Sequence, residues 1–248
     1  MLAAATLALG LGAPAAQAQF KPSKNDQIKL GKEAASEVRR KERVLSSSDE
    51  RVRMMRSVGE KLLATVDRTK EPWQYSFDVI DNKQVNAFAF PGGPIFFYTG
   101  LLDKVKTEDQ LAGVLAHEIT HVRNEHWASA YNDNQKRRLG LSVLLMLLKA
   151  NRNAFDLAGA LDTLLVGLPY SRKHETESDD RGFDMMIRAG YNPEGMVDVF
   201  KILAASGGGK GPEWLSTHPN DTNRVRRLQD KVVAQNKSFS PQRPVPWN

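Results

Sequence analysis

Two histidines separated by three residues form the most informative pattern in this chain. His117 and His121 belong to the pentad His-Glu-Ile-Thr-His, in which Glu118 directly follows the first histidine. Helical residues four apart lie on one side of the helix, about 6 Å apart along its axis, so both imidazoles can reach one point. This spacing predicts a site for Zn²⁺. Glu118, beside that point, is predicted to be the general base that takes a proton from the attacking water.

A third ligand is needed, because a catalytic zinc site usually has three protein ligands. The chain has no cysteine and five histidines. Asn124 and Trp127 stand where an H-E-x-x-H-x-x-G-x-x-H pattern requires its glycine and its third histidine. A carboxylate is therefore the expected third ligand.

The acidic segment 175–180 offers several carboxylates for this role. Glu175 and Asp179 lie four residues apart, so one can bind the metal while the other hydrogen-bonds to a ligand histidine. The residue four positions after Glu177 is Arg181, not a carboxylate, so Glu177 lacks an acidic partner that could hydrogen-bond to a ligand histidine. We favour Glu175 as the ligand and Asp179 as the partner of His117. A solvent-exposed acidic face is the alternative, and spacing alone does not decide between the two.

Three segments together resemble a known family of enzymes. HEITH at 117–121, SRKHETESD at 171–179 and THPNDTNR at 217–224 are similar to the motifs of the gluzincin zinc metallopeptidases of the CAAX prenyl protease and HtpX type. Within that family the chain looks most like the soluble, exported BepA-like branch. The resemblance extends over roughly residues 26–235 and includes NAFAFPGG at 86–93.

The resemblance implies a role for each matching residue. It implies one Zn²⁺ per chain, with the metal ligands His117, His121 and Glu175, the base Glu118 and the supporting residue Asp179. It also implies that His218 lies near the metal, where it could stabilise the oxyanion or occupy the open metal position at rest. Arg224 could hold a substrate carbonyl or pair with Glu118 or Asp179. By spacing alone, His218 is as readily a surface histidine.

Segment 85–90 has two interpretations. Phe88 and Phe90 alternate as the core aromatics of a strand do, which would make them structural. In the family the strand is an open sheet edge along the cleft, and an extended substrate adds to it by main-chain hydrogen bonds. On that basis Asn86, Ala87 and Phe88 are predicted to bind substrate. Among the other histidines, His126 is expected on a helix surface or near the site, and His174 beside the ligand.

Helices must position most of these residues. Apolar residues recur at helical spacing over 26–43, 49–66, 107–125, 172–189, 193–205 and 220–236, and two further apolar helical stretches lie at 139–149 and 155–168. Thr107 is predicted to begin the helix of the pentad and to form a capping box with Gln110. The two further stretches are too short and too interrupted by charges to span a membrane. They are expected to form core, a lid over the cleft or a membrane-contacting surface.

Strands are predicted in a single cluster. Alternating apolar residues indicate strands at 73–79, 85–90 and 95–98. The predicted class is therefore α+β, mostly α, with a zincin-like HExxH helix core and a small antiparallel β-sheet at the cleft edge.

The ends of the chain differ in composition from the rest. Residues 1–18 lack charge and end in Ala16-Gln17-Ala18, which predicts a secretory signal peptide, truncated at its start because the usual basic residues are missing. A retained membrane anchor is the alternative. Residues 19–236 are predicted to form a single metallopeptidase domain, and 237–248 a Pro-rich tail that is extended or disordered. Export predicts a periplasmic location.

Charge helps to define the partners. The net charge is +6, but Lys and Arg are interleaved with Asp and Glu, so we expect no nucleic-acid partner. Peripheral contact with an anionic membrane is compatible with this balance. The sequence does not indicate an oligomeric state.

Two functions follow from these observations. The first is a zinc-dependent endopeptidase of the bacterial cell envelope, which hydrolyses peptide bonds of unfolded or misassembled proteins through a metal-activated water. The second is an autoinhibited, chaperone-like binding module with little proteolytic turnover, in which His218 closes the metal site. Processing of prenylated proteins within the membrane is disfavoured, because the chain has no pair of long apolar spans.

Overall fold

A computed structural model of the protein describes residues 21–135, 170–206, 212–219 and 223–247. Its strands are β1 Ser76–Ile80, β2 Ala87–Ala89 and β3 Pro94–Tyr98. Within the described residues its helices are α1 Lys24–Lys41, α2 Glu50–Leu63, α3 Thr99–Leu102, α4 Glu108–Arg123, α5 His126–Gln135, α6 Arg172–Arg188, α7 Glu194–Ala205, α8 Trp214–Thr217 and α9 Arg224–Ala234. The predicted segments 1–18, 139–149 and 155–168 lie outside the described residues.

The predominance of helix confirms the predicted α+β class. The helices expected outside 139–168 are present, with ends that differ from the prediction by a few residues. Local signals explain the ends of α6: the Ser171 hydroxyl accepts from the His174 main-chain N–H, and Gly190 follows the helix with φ +73°. In the described part of the chain, no helix is both long and apolar enough to cross a membrane.

The three-stranded sheet is mixed, so the prediction of an antiparallel sheet is wrong for one of its two pairings. The strand order is β1-β3-β2. β2 pairs with β3 antiparallel, as expected for strands joined by a tight turn, whereas β1 pairs with β3 parallel. The connection between β1 and β2 carries the chain past the position of β3, which then fills the centre. This order leaves β2 at the edge of the described sheet.

Helix α4 lies at the centre of the fold, in contact with α2, α5, α6, α7 and β2. Two glycines allow the neighbouring helices to approach it closely. A Cβ atom at Gly113 would lie 2.7 Å from Cα of Met196 in α7, and one at Gly182 in α6 would lie 3.1 Å from the carbonyl carbon of Ala116. A separation of 2.7 Å is too short for a real Cβ atom, so a side chain does not fit at position 113. The backbones of α4 and α7 therefore pack directly against each other at that point.

The N-terminal end of α4 has half of the predicted capping box. The Thr107 hydroxyl accepts from the Gln110 main-chain N–H at 3.2 Å. The Gln110 side chain, however, accepts from the main-chain N–H of Lys106 at 2.7 Å. The glutamine therefore anchors the loop that enters the helix.

The C-terminal tail lies extended along this same end of α4. The main-chain N–H of Glu108, which has no partner within its own helix, donates to the carbonyl of Arg243 at 2.7 Å. The N–H of Val245 donates to the carbonyl of Lys106 at 3.1 Å. The Val245 side chain is 3% exposed. The tail therefore completes the hydrogen bonding of the helix that carries the histidine pair.

We expect Val245→Ala to lower the free energy of unfolding by about 1.5 kcal/mol, because the change removes two buried methyl groups. Urea denaturation followed by circular dichroism measures the change. Val233→Ala is the matched control, since Val233 is 78% exposed and should shift stability by less than about 0.5 kcal/mol. Equal effects of the two substitutions would show that the tail does not support the fold.

Candidate active site

Helix α4 places three polar side chains inside the protein. His117 and Glu118 have no exposed surface, and His121 is 1% exposed. The Nε2 atoms of the two histidines lie 3.0 Å apart, as the one-turn spacing predicts. Both imidazoles therefore point to the same interior position.

Helix α6 brings Glu175 to that position. Its Oε2 atom lies 3.5 Å from Nε2 of His117, and its Oε1 atom lies 3.4 Å from Nε2 of His121. Gly182, two turns further along α6, allows the approach of the two helices. The structure therefore brings the three predicted ligands together.

His218, which follows α8, joins the same group. Its Nδ1 atom lies 3.2 Å from both His117 Nε2 and Glu175 Oε1. Its other ring nitrogen lies 3.4 Å from Oε1 of Glu118. The side chain is almost fully buried, so the alternative of a surface histidine is wrong.

The four residues fit a divalent metal ion. One ligand atom from each of His117, His121, Glu175 and His218 can be chosen so that all lie within 4.8 Å of one another. In a tetrahedral zinc site the ligand atoms are roughly 3.3 Å apart, which agrees with the spacings of 3.0–3.5 Å found here. Oε2 of Glu175 is buried and has no hydrogen-bond partner. A bound cation would satisfy this oxygen.

The environment favours the protonation states that bind a metal. Burial lowers the pKa of His117 well below 6.5 and lowers the pKa of His121 to about 4. Burial alone would raise the pKa of Glu175, but the neighbouring histidines outweigh it and hold this pKa well below 4.5. Burial would also lower the pKa of His218, but the carboxylates of Glu175 and Glu118 raise it. At neutral pH, His117 and His121 are therefore neutral and Glu175 is ionised, as metal ligation requires.

Asp179 lies behind these four residues, the candidate ligand group, and contacts His117. Nδ1 of His117 lies 3.0 Å from Oδ1 of Asp179. If Nε2 of His117 is to bind a metal, its proton lies on Nδ1, which then donates to this carboxylate oxygen. Arg224 donates to the same oxygen at 2.6 Å, and Arg227 donates to Oδ2 at 2.6 Å. Arg224 also lies 3.3 Å from Oε2 of Glu175. Of the two predicted carboxylate partners of Arg224, the structure therefore places Asp179 against it.

The sequence of this region matches a known family. The profile described as Peptidase family M48 matches residues 49–232, a range that includes the four-residue ligand group and Glu118. This chain belongs to peptidase family M48. Membership confirms the resemblance that the three motifs indicated and places the chain in a family of peptidases.

Relatives in this family include proteins of bacteria and of mitochondria. The chain is 31% identical to the Beta-barrel assembly-enhancing protease of Escherichia coli (strain K12) over 200 residues, which cover 74% of this chain and 40% of that protein. It is 32% identical to the Mitochondrial metalloendopeptidase OMA1 of Schizosaccharomyces pombe over 177 residues, covering 69% and 50%. It is 34% identical to the Metalloendopeptidase OMA1, mitochondrial, of Danio rerio over 210 residues, covering 78% and 43%. The chain thus spans half or less of the length of each relative.

Two aromatic residues of the site were not identified from the sequence. Nε1 of Trp214 donates to Oε1 of Glu118 at 3.2 Å, and its ring stacks on His218 with centroids 4.6 Å apart. The ring of Tyr170 stacks on His121 at 4.0 Å. Trp214 lies four residues, about one helical turn, before His218. This spacing is the one feature of the local sequence that indicates a position of Trp214 near His218. Nothing near Tyr170 in the sequence indicates its contact.

Strand β2 contains two of the three residues predicted to bind substrate, Ala87 and Phe88, and Asn86 directly precedes it. The main-chain groups of Asn86 and Phe90 bond to β3, at 3.0 and 2.8 Å. Main-chain groups alternate in direction along an antiparallel strand, so those of Ala87 and Ala89 face the free edge of the described sheet. The ring of Phe88 packs in the core beside that of Phe90, with centroids 5.1 Å apart. Ala87 has no exposed surface, whereas Ala89 is partly exposed, so the main chain of Ala89 is the accessible part of this edge.

We expect Asp179→Asn to lower the free energy of unfolding by about 3–5 kcal/mol, because buried Arg224 would lose its charged partner. Zinc affinity should fall about 10- to 100-fold, because the support of His117 is weakened. Denaturant titration and chelator competition measure the two effects. Asp180→Asn is the matched control, since that side chain is 42% exposed and its ion pairs should contribute at most about 1 kcal/mol.

Proposed function

We propose that this member of peptidase family M48 is a zinc-dependent endopeptidase that hydrolyses unfolded or misassembled proteins of the bacterial cell envelope. The observation that carries the proposal is the convergence of His117, His121, Glu175 and His218 within 4.8 Å, beside the carboxylate of Glu118. Imidazole and carboxylate ligands without cysteine are typical of hydrolytic zinc sites.

A bound zinc ion would polarise the scissile carbonyl and make water acidic enough to react near neutral pH. Glu118 is proposed as the base, and Trp214 holds its Oε1 atom by a hydrogen bond. Its Oε2 atom is buried without a hydrogen-bond partner, so it is free to accept the proton of the attacking water. The water oxygen bonds to the carbonyl carbon, the C–N bond breaks, and Glu118 passes the proton to the amine nitrogen.

Substrate is proposed to bind as an added strand along the free edge of β2. The main chain of Ala89 would hydrogen-bond to an extended peptide, in a segment that also includes Asn86, Ala87 and Phe88. A small cavity of about 10 Å³ is lined by Ala89 of this strand together with His121 and Tyr170, among others. Folded proteins rarely present an extended strand to such an edge, so the arrangement favours unfolded substrates.

An envelope location is proposed on two grounds. Residues 1–18 carry the pattern of a signal peptide, and the relative from Escherichia coli is named for the enhancement of β-barrel assembly. A periplasmic role in protein quality control, with peripheral membrane contact, agrees with both.

We expect Glu118→Gln to retain zinc and to reduce casein cleavage by about 10²- to 10⁴-fold, because the amide cannot accept the proton. Metal analysis and a fluorescent casein assay measure the two properties. Glu60→Gln, which changes an exposed carboxylate of α2, should leave both unchanged. Full activity of the Glu118 variant would contradict the mechanism.

The position of His218 supports the second function, an autoinhibited binding module. Its Nδ1 atom contacts two ligand residues and its other nitrogen contacts Glu118. This ring therefore occupies the space that the attacking water needs. A chain that rests in this arrangement would hold polypeptides with little turnover until His218 moves.

If His218 closes the site at rest, His218→Ala should raise the rate of casein cleavage above that of the wild type. The double variant Glu118→Gln with His218→Ala should stay inactive, which would assign the gain to this site. A loss of about 10²- to 10³-fold in His218→Ala would instead assign His218 to stabilisation of the oxyanion.

A further inference from the structure

His126 is buried beside the predicted ligand His121, although the sequence also allowed it on a helix surface. Helix α4 ends at Arg123, Glu125 adopts φ +54°, and α5 begins at His126. This sharp turn places Nδ1 of His126 3.0 Å from Nδ1 of His121. His126 is 2% exposed, so solvent does not supply its hydrogen bonds.

The contact between the two Nδ1 atoms determines where their proton lies. A hydrogen bond between two nitrogens needs one N–H and one lone pair. Nε2 of His121 faces His117 and Glu175, and it must be unprotonated to bind a metal. The proton of His121 therefore lies on Nδ1 and is donated to Nδ1 of His126. His126 must then carry its own proton on Nε2.

The N–H at Nε2 of His126 has a hydrogen-bond acceptor in the carboxylate of Glu177. Nε2 of His126 lies 3.4 Å from Oε2 of Glu177, whose other oxygen binds Arg181 at 3.0 Å. The hydroxyl of Ser178 lies 3.2 Å from Nδ1 of His126, and the ring of His174 stacks on His126 at 4.5 Å. The imidazole of His126 is thus held on its edge and on its face. A line of hydrogen bonds runs from the ligand group to a half-buried carboxylate.

We propose that His126 is a positioning residue that orients His121 for metal binding, with Glu177 selecting the tautomer that His126 needs. The inference rests on the proposed function, because it assigns His126 to the same metal site. It gives the two ligand histidines different supports. His117 donates to the carboxylate of Asp179, whereas His121 donates to an imidazole that in turn donates to a carboxylate.

The test measures zinc affinity of the whole chain by chelator competition. His126→Phe keeps the stacked ring but removes both nitrogens, and it should raise the dissociation constant for zinc about 10- to 100-fold. His126→Asn places an amide oxygen near the position of Nδ1, and it should restore most of the affinity. Glu177→Leu should weaken binding by a smaller factor. Asp184→Asn, which changes an exposed carboxylate of the same helix, should leave affinity unchanged.

Melting temperatures separate positioning from a merely structural role. Positioning predicts that His126→Phe reduces the rise in melting temperature that zinc causes. A structural role would lower the melting temperatures of the metal-free and zinc-loaded forms equally, with an unchanged dissociation constant, and would overturn the inference. If His126→Phe does not fold, His126→Asn and Glu177→Leu decide the matter. Equal affinity in Glu177→Leu and Asp184→Asn would then refute the role.

Measurements on the wild-type chain distinguish failure of the proposed function from failure of the role assigned to His126. A wild type that neither binds zinc nor cleaves casein would refute the proposed function together with this inference. A wild type that does both, beside a His126→Phe variant with the same zinc affinity, would refute the role of His126 alone.

Discussion

The hydrogen bond between His117 and Asp179 joins the two helices that carry the predicted metal ligands. Neither side chain has any exposed surface, so each needs a polar partner inside the protein. Arg224 and Arg227 balance the charge of Asp179 and connect α9 to the same point. Any other packing of these helices would leave a charge unpaired in the interior. This network therefore restricts α4, α6 and α9 to one arrangement.

Close helix packing and polar networks act together around α4. Glycines at 113 and 182 let the neighbouring backbones approach, while the carboxylates and imidazoles between the helices are oriented by hydrogen bonds. The candidate ligand atoms therefore converge within 4.8 Å without an ion. Convergence favours a divalent metal, because ligands already in place lose little conformational freedom when the ion binds.

The position of His218 links stability to the proposed catalysis. Burial opposes a charge on His218, but the carboxylates of Glu175 and Glu118 in contact with it raise its pKa. The same contacts place its ring where water and substrate would react. In the autoinhibited form proposed above, His218 must move before Glu118 can act. The residue that lies against the buried carboxylates would then also control access to the base.

The sequence alone determined the features that depend on local geometry. His117 and His121 point to one position because residues four apart share a side of a helix, and the caps and glycines marked the helix ends. Spacing left Glu175 and Asp179 open as ligands. The tertiary structure decided which of the two faces the histidine pair, because this depends on how α6 docks against α4: Glu175 faces both imidazoles and Asp179 lies behind His117.

Strand direction and the surroundings of the site also needed the tertiary structure. The parallel pairing of β1 with β3 depends on the path that the chain takes between the strands. The alternation of apolar residues within a strand does not encode that path. The contacts of His126 with Glu177, of Tyr170 with His121 and of Trp214 with Glu118 join segments distant in the chain. Helical and strand periodicity reports which side of an element is buried. It does not report which buried side chain lies against another, because packing between elements sets that distance.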